Sequence, residues 1–356
     1  MKFMKVKSVQ AQGFSLVELM IALLLGLILF SGVGHLILGS SRSWALQDEL
    51  SRIQESARLT LDLVGQAIST AAYTGCPSQA SLANMLSSSA DNRQWMAHFD
   101  KGVLGLSAGT SVTQQLDSNA ISEAIIIHRL DSDSAQVVNG HDTSNVRLSL
   151  NSSHSYDEGD LLALISPDCG QISIFRAGGS TGGSAITHPA SNSGNLNNCV
   201  SQMYGDFTCE DTLIESSNTS HEGSVLLPLE TYAFYLRNSN GIPTLYRKKA
   251  GEYESGNSIN AEALVEGVEG LLIRYGLDSD NNGVADQYLS AAEITPYSSD
   301  WLNVISVKLE ILVRSFTEVA PSPQAYFFAG QSVLPSDNYV RRSFMRTIKL
   351  RNRGLK

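Results

Sequence analysis

From Phe14 to Leu38 the chain reads FSLVELMIALLLGLILFSGVGHLIL, 25 residues in which Glu18 is the only acid and His35 stands near the far end. About 20 apolar residues suffice to cross a bilayer. Beyond this stretch the pattern becomes amphipathic. Leu46, Leu50, Ile53, Ala57, Leu61, Val64, Ile68 and Ala71 recur at spacings of three and four. Asp48, Glu49, Arg52, Glu55, Arg58 and Asp62 fall mostly on the other side, as on a helix with one face packed. The two patterns join without a break and predict one helix from Phe14 to Ala72, about 90 Å long. Residues 14–38 would be its membrane part and 39–75 its amphipathic part, with Gly75-Cys76-Pro77 as the stop. Gly26, Gly32 and Gly34 weaken the middle of the helix or let another helix approach closely.

After Cys76 the period changes from three and four to two. Strands are predicted at Ala124–Leu130, Val146–Leu150, Leu161–Ser166, Gln171–Arg176, Val225–Arg237 and Thr244–Arg247. Tyr232–Tyr246 and Leu264–Tyr275 read as successive strand segments. The clearest alternation is Trp301–Arg314, with Ile305, Val307, Leu309, Ile311 and Val313 on one side and Ser306, Lys308, Glu310 and Leu312 on a wet side. A last strand is predicted at Tyr339–Leu350. Ser78–Ala90 and Gly178–Asn198 are rich in Ser, Gly and Asn and read as loops. The fold class is therefore α+β: a long N-terminal helix, membrane-spanning in its first half, packed on a mainly antiparallel β head formed by residues 76–356.

Residues 1–13, MKFMKVKSVQAQG, hold three lysines and no acid. A basic flank keeps its end of a span in the cytoplasm, which places the rest of the chain outside, in the periplasm if the source is a Gram-negative cell. An ordinary signal peptide cut near Ser31-Gly32-Val33-Gly34 shares these features. Neither it nor a plain anchor explains an acid five positions into the apolar run, where a charge at mid-bilayer would cost about 2.5–3.5 kcal/mol. Gly13-Phe14-Ser15-Leu16-Val17-Glu18-Leu19 resembles the processing motif of type IV prepilins and type II secretion pseudopilins. That resemblance implies cleavage by prepilin peptidase after Gly13, methylation of the new terminus at Phe14, and a role for Glu18 in assembly. There the carboxylate would meet the terminal amine of a neighbouring subunit. Amine and carboxylate are each costly in lipid alone and much less so as a pair.

Composition changes this picture little. The 356 residues are 42% hydrophobic and 17% charged, as in a folded protein. The net charge of −10 argues against nucleic acid as a partner. One local exception is the acid-free run Tyr339–Lys356, with Arg341, Arg342, Arg346, Lys349, Arg351, Arg353 and Lys356. It reads as an anion- or partner-binding edge, or as a terminal strand whose charges prevent edge-to-edge pairing. Four cysteines outside any C-x-x-C pair read as disulfides in an exported head. The short loop between Cys199 and Cys209 favours that bridge, which leaves Cys76 with Cys169; free buried thiols are the alternative.

Between Leu277 and Asp286, oxygen side chains recur at Asp278, Asp280 and Asn282, Gly283 follows, and Asp286 comes next. Alternating oxygens around a glycine are how loops wrap Ca²⁺. Leu289 stands where an EF-hand needs its glutamate, and Asn282-Gly283 alone specifies a hairpin turn. Ca²⁺ site and plain turn both fit. The chain contains no nucleophile elbow, P-loop, zincin or dinucleotide motif, and no enzymatic activity is expected. Its seven histidines are scattered along the sequence.

A second resemblance lies in the C-terminal half. Ile242-Pro243-Thr244-Leu245-Tyr246-Arg247, Leu264-Val265-Glu266-Gly267-Val268-Glu269-Gly270, Ile273-Arg274-Tyr275-Gly276 with the aspartate loop, and the Trp301–Ser315 strand together resemble PilW-type minor pilins. These are related to the J-type minor pseudopilins. The resemblance implies a scarce subunit that joins other minor pilins and the major pilin, leaves the inner membrane for the pilus, and primes assembly. A secretion pseudopilin and a tip adhesin are the alternatives.

Overall fold

The computed structural model describes residues 15–76, 80–87, 94–110, 116–179, 183–191, 197–209, 211, 221–250 and 261–353. Helix α1 spans Leu16–Ser69, 54 residues and about 80 Å. Eighteen strands follow among the described residues. The first six are β1 (Ser81–Asn84), β2 (Val103–Leu106), β3 (Ala124–Leu130), β4 (Gln136–Asp142), β5 (Arg147–Leu150) and β6 (Leu161–Ile165). Next come β7 (Gln171–Arg176), β8 (Ala185–Thr187), β9 (Phe207–Thr208), β10 (Val225–Ser239), β11 (Ile242–Lys249) and β12 (Ala261–Glu266). The last are β13 (Val268–Leu277), β14 (Gln287–Leu289), β15 (Val304–Arg314), β16 (Tyr326–Phe328), β17 (Gln331–Val333) and β18 (Arg341–Lys349).

Helix α1 ends before the predicted stop. Thr70 caps it, and Ala72 adopts a left-handed backbone at φ +57°. The cause is tertiary: Ala72 N–H donates to His128 O at 2.8 Å, and Leu130 N–H donates to Tyr73 O at 2.8 Å. Edge hydrogen bonding to β3 thus replaces the last helical turn.

Four strands in the order β14-β13-β15-β18 form the sheet on which the helix lies. All their pairings are antiparallel. Ile53, Ala57, Val64 and Ile68 of α1 share one core with Ile273, Val307, Leu309, Ile311 and Ile348. Between β12 and β13, Gly267 turns the chain at φ +84° while its N–H donates to Pro243 O; a Cβ there would meet Arg314 O at 3.1 Å.

The outer face of β15, expected to be wet, is largely covered. Ser306, Glu310 and Leu312 are buried, and Lys308 is half-buried. The β16–β17 hairpin reaches across this side: Ala329 N–H donates to Glu310 Oε1 at 3.2 Å, and the Phe328 ring crowds against Gly270 so closely that a Cβ there would lie 2.8 Å from it. Alternation correctly gave the strand, but a distant hairpin decided its exposure.

The larger sheet hinges on β10. Its first residues pair with β4 and β6, up to Pro228; from Leu229 onward it pairs with β3 and then β11. Pro228 lacks an N–H, and it sits where the ladder changes partners. The first set of pairings belongs to a second core around Val138, Leu148, Leu162, Leu164, Phe175, Ile186, Tyr204 and Phe207. Two segments read as loops contribute strands here. β1 lies within Ser78–Ala90 and pairs parallel with β7 and β9; β8 lies within Gly178–Asn198 and pairs with β5. Both are three or four residues long, too short to show a period of their own.

Candidate functional site: the two-part helix

At the helix start, Ser15 and Glu18 form a capping box. Val17 N–H donates to Ser15 Oγ at 3.3 Å, and Ser15 N–H donates to a Glu18 carboxylate oxygen at 3.4 Å. Glu18 therefore points back toward the residue that precedes the helix. Gly13 and Phe14 lie outside the described residues. From Leu16 to Leu38 the large apolar side chains stand free of the head; Phe30 is 80% exposed. This helix is long and apolar enough to cross a membrane.

Thirty residues on, the same helix is seated. Ile53 is 1% exposed, and Val64 and Ile68 are fully covered. Glu49 sits at the boundary. It was read with the solvated charges but is buried, accepting from Phe316 N–H and Thr317 Oγ–H, both at 2.8 Å. Sequence gave no sign of this, because both partners come from a loop 267 and 268 residues away. Farther along, Asp62 pairs with Arg346 at 2.9 Å, and Gly65 leaves room for the Arg346 guanidinium. Asn352 Nδ2–H donates to Ala71 O at 3.0 Å and ties the C-terminal segment to the helix end.

Half of the basic run among the described residues is engaged within the fold, and Lys356 lies outside them. Arg341 is buried between Glu269 and Asp337, and Arg353 donates to the carbonyls of Trp301 and Asp100 at 2.8 Å each. β18 is an edge strand, and Arg342, Lys349 and Arg351 are exposed along it. Blunting of the edge fits this placement better than a collected anion site.

The cysteines join as two bridges, Cys76–Cys169 and Cys199–Cys209, with Cα separations of 5.5 and 5.8 Å. The first fastens the chain just after α1 to the β6–β7 turn. The second closes a loop beside β1.

The aspartate loop brings three carboxylates together. One oxygen from each of Asp278, Asp280 and Asp286 falls within 4.8 Å of the others. Much of their capacity is used internally. Asn282 N–H and Gly283 N–H donate to the two oxygens of Asp278 at 3.0 and 2.8 Å, and Ser279 N–H donates to Asp286 at 2.7 Å. Burial pushes the Asp278 carboxyl up, but these N–H groups outweigh it and hold it below the ordinary range. The Asn282 side-chain oxygen is turned toward Val284 N–H at 2.8 Å. Three of the four expected ligands converge, and the fourth caps the turn.

Residues 233–352 match the family model described as type IV pilus-assembly protein W, and residues 10–34 match the prokaryotic N-terminal methylation motif. Over these two segments the chain is similar to PilW-type minor pilins. The first match covers β13, β15 and β18 and the helix seat they form; the second covers the bare half of α1 together with its processing signal. The motif implies processing by prepilin peptidase and assembly with pilus subunits. A type IV-like pilin from Thermus thermophilus aligns at 10% identity over 86% of this chain and 96% of that one, with a TM-score of 0.30. A likeness this loose adds nothing to the fold as read from its strands. No curated protein matches the chain. The PilW family is a structural pilus component rather than an enzyme family.

Proposed function

We propose that this minor pilin is cut after Gly13, methylated at Phe14, and joins other minor pilins in a complex that primes assembly of the type IV pilus at the inner membrane. Its head would face the periplasm, and the subunit would remain near the pilus tip. The observation that carries this reading is Glu18. It is the one acid on an apolar helix segment the head leaves uncovered, and its carboxylate reaches back to the N–H of Ser15. Cleavage after Gly13 would put a charged amine at Phe14, just beyond that position. A carboxylate in the next subunit would offset that charge in a medium where neither is tolerated alone. The head's contribution is surface and position, with no catalytic constellation required.

Deleting the gene and scoring surface pili, twitching and protein secretion separately tests this. Loss of pili with secretion intact is expected, and a wild-type copy should restore them. Normal piliation with failed secretion would instead assign the chain to a secretion pseudopilus. Pili that form but no longer adhere would make it an adhesin.

A second reading concerns the aspartate loop, for which we propose Ca²⁺ as the ligand, because three converging carboxylates repel one another without a cation. Calorimetry on the full chain in detergent should give Ca²⁺ heat at millimolar ion that Asp280→Ala abolishes. No heat would leave a hydrogen-bonded turn.

A further inference from the structure

His141, His188 and His221 are far apart in sequence but meet in the second core. His141 lies on β4 opposite Leu148 of β5. His188 follows β8, and its N–H donates to Val146 O, just before β5. His221 precedes β10, in a turn closed by Ser224 N–H on His221 O. The β4-β5-β8 order thus sets His141 and His188 on either side of β5. Their Nε2 atoms are 3.1 Å apart. The His221 ring lies tilted against His141, 4.4 Å between centroids, and Tyr204 stands edge-on to it at 4.5 Å. Phe175 stands edge-on to His188.

Two features mark this group. Two imidazole nitrogens bound at about 2.0–2.1 Å to one tetrahedral ion stand roughly 3.3 Å apart, close to the 3.1 Å at which the two Nε2 atoms here share a hydrogen bond. His188 and His221 are almost wholly buried, and His221 Nδ1 has no hydrogen-bond partner among the described residues, which is costly for a buried polar atom. His141 is only half-covered and gives the pair a way out to solvent.

We propose that His141 and His188 chelate a late first-row divalent transition metal through their facing Nε2 atoms, with His221 as the ring packed against His141 that holds it in place. Imidazole donors suit copper, nickel and zinc and not Ca²⁺ or Mg²⁺, so this site is separate in chemistry from the aspartate loop. Bound metal would join β4 to the chain after β8 across β5, clamping the small sheet of the second core.

The test uses the full chain in detergent with Cu²⁺ alone as probe, in the presence of excess Ca²⁺ and Mg²⁺. The expected result is one Cu²⁺ with nitrogen hyperfine coupling from two imidazoles by electron paramagnetic resonance. His141→Phe, which keeps a ring over His221, should weaken that binding at least tenfold and remove the coupling, while Asp280→Ala leaves both unchanged. His221→Phe should keep two coordinated nitrogens, as expected of a positioning residue. The absence of two-imidazole coupling in the native chain would overturn the proposal whether or not the variants fold. So would Cu²⁺ binding that is unchanged in a folded His141→Phe chain.

Discussion

Residues 16–38 and 49–68 of α1 belong to one unbroken helix, yet they are built for different surroundings. The first carries apolar side chains all round, and none of the large ones is covered. The second carries them on one face, and that face is sealed against β15 and β18. Each half also holds one acid that matters, used in opposite ways. Glu49 is satisfied within its own chain by Phe316 and Thr317. Among the described residues, Glu18 has only the helix-capping contact with Ser15. A satisfied acid stabilises a fold, whereas an acid left on a lipid-facing surface waits for a partner. The two halves can therefore be separated experimentally: changes in the seated half should disturb the head, and changes in the bare half should disturb assembly alone.

Core truncation should show the largest contrast. Ile53→Ala is expected to lower the stability of the full chain in detergent by about 2–5 kcal/mol, from lost burial and the cavity left behind. Leu27→Ala, in the bare half, should change it by less than about 0.5 kcal/mol. Urea unfolding followed by tryptophan fluorescence reads both, since Trp95 and Trp301 lie in the head core. Equal losses would mean that the bare half also packs on the head.

The boundary is sharpened next by Glu49→Ala. It strands a buried N–H at Phe316 and should cost about 1–3 kcal/mol. Acid should act on the head in the same range. Burial, with His98 and Arg353 nearby, pushes His128 down to about 3, and His188 is held at a similar value. Below the unfolded histidine pKa, near 6.5, the unfolded chain binds protons that the native chain refuses, so stability falls with pH. Glu123 opposes this. Burial raises it to about 7 despite the Ile273 N–H on its carboxylate, so its native form takes up a proton that the unfolded chain does not hold until about 4.5. His221, held down to about 4, acts in the same direction, so three histidines against one carboxyl leave about two net protons, a loss of about 2.7 kcal/mol per pH unit between 6.5 and 4.5. Unfolding at stepped pH checks the slope, and a gain in stability on acidification would contradict it. The smallest effect belongs to Asp62→Ala. Its pair with Arg346 is about half exposed on both sides, so its removal should cost about 0–1 kcal/mol.

The helix was legible because its signal is long and local: a largely apolar run of 25 residues followed by a three-four repeat. Strands such as β3 and β7 were legible to the residue, as short apolar runs bounded by polar turns. Distant contacts were not. β1 and β8 are strands because β7 and β5 pair with them, and the second core emerges only once those pairings close. The covered outer face of β15 depends on a hairpin that follows it in the chain. Among functional residues, Glu18 was visible because an acid inside an apolar run is conspicuous by itself. Glu49 sits among other charges and is revealed only by its partners, as is the meeting of His141 with His188.

Glu18 caps the helix start but touches nothing described in the head, so its proposed role lies in assembly rather than in head stability. Sheared pili and inner membranes from cells carrying the native chain or Glu18→Gln should be compared, with this subunit quantified against the major pilin in each fraction. The account predicts a small, constant amount of native subunit in pili. It predicts at least a tenfold loss with Glu18→Gln, while the membrane fraction keeps the same amount of processed chain beginning at Phe14. Glu18→Gln in pili at the native level would contradict it.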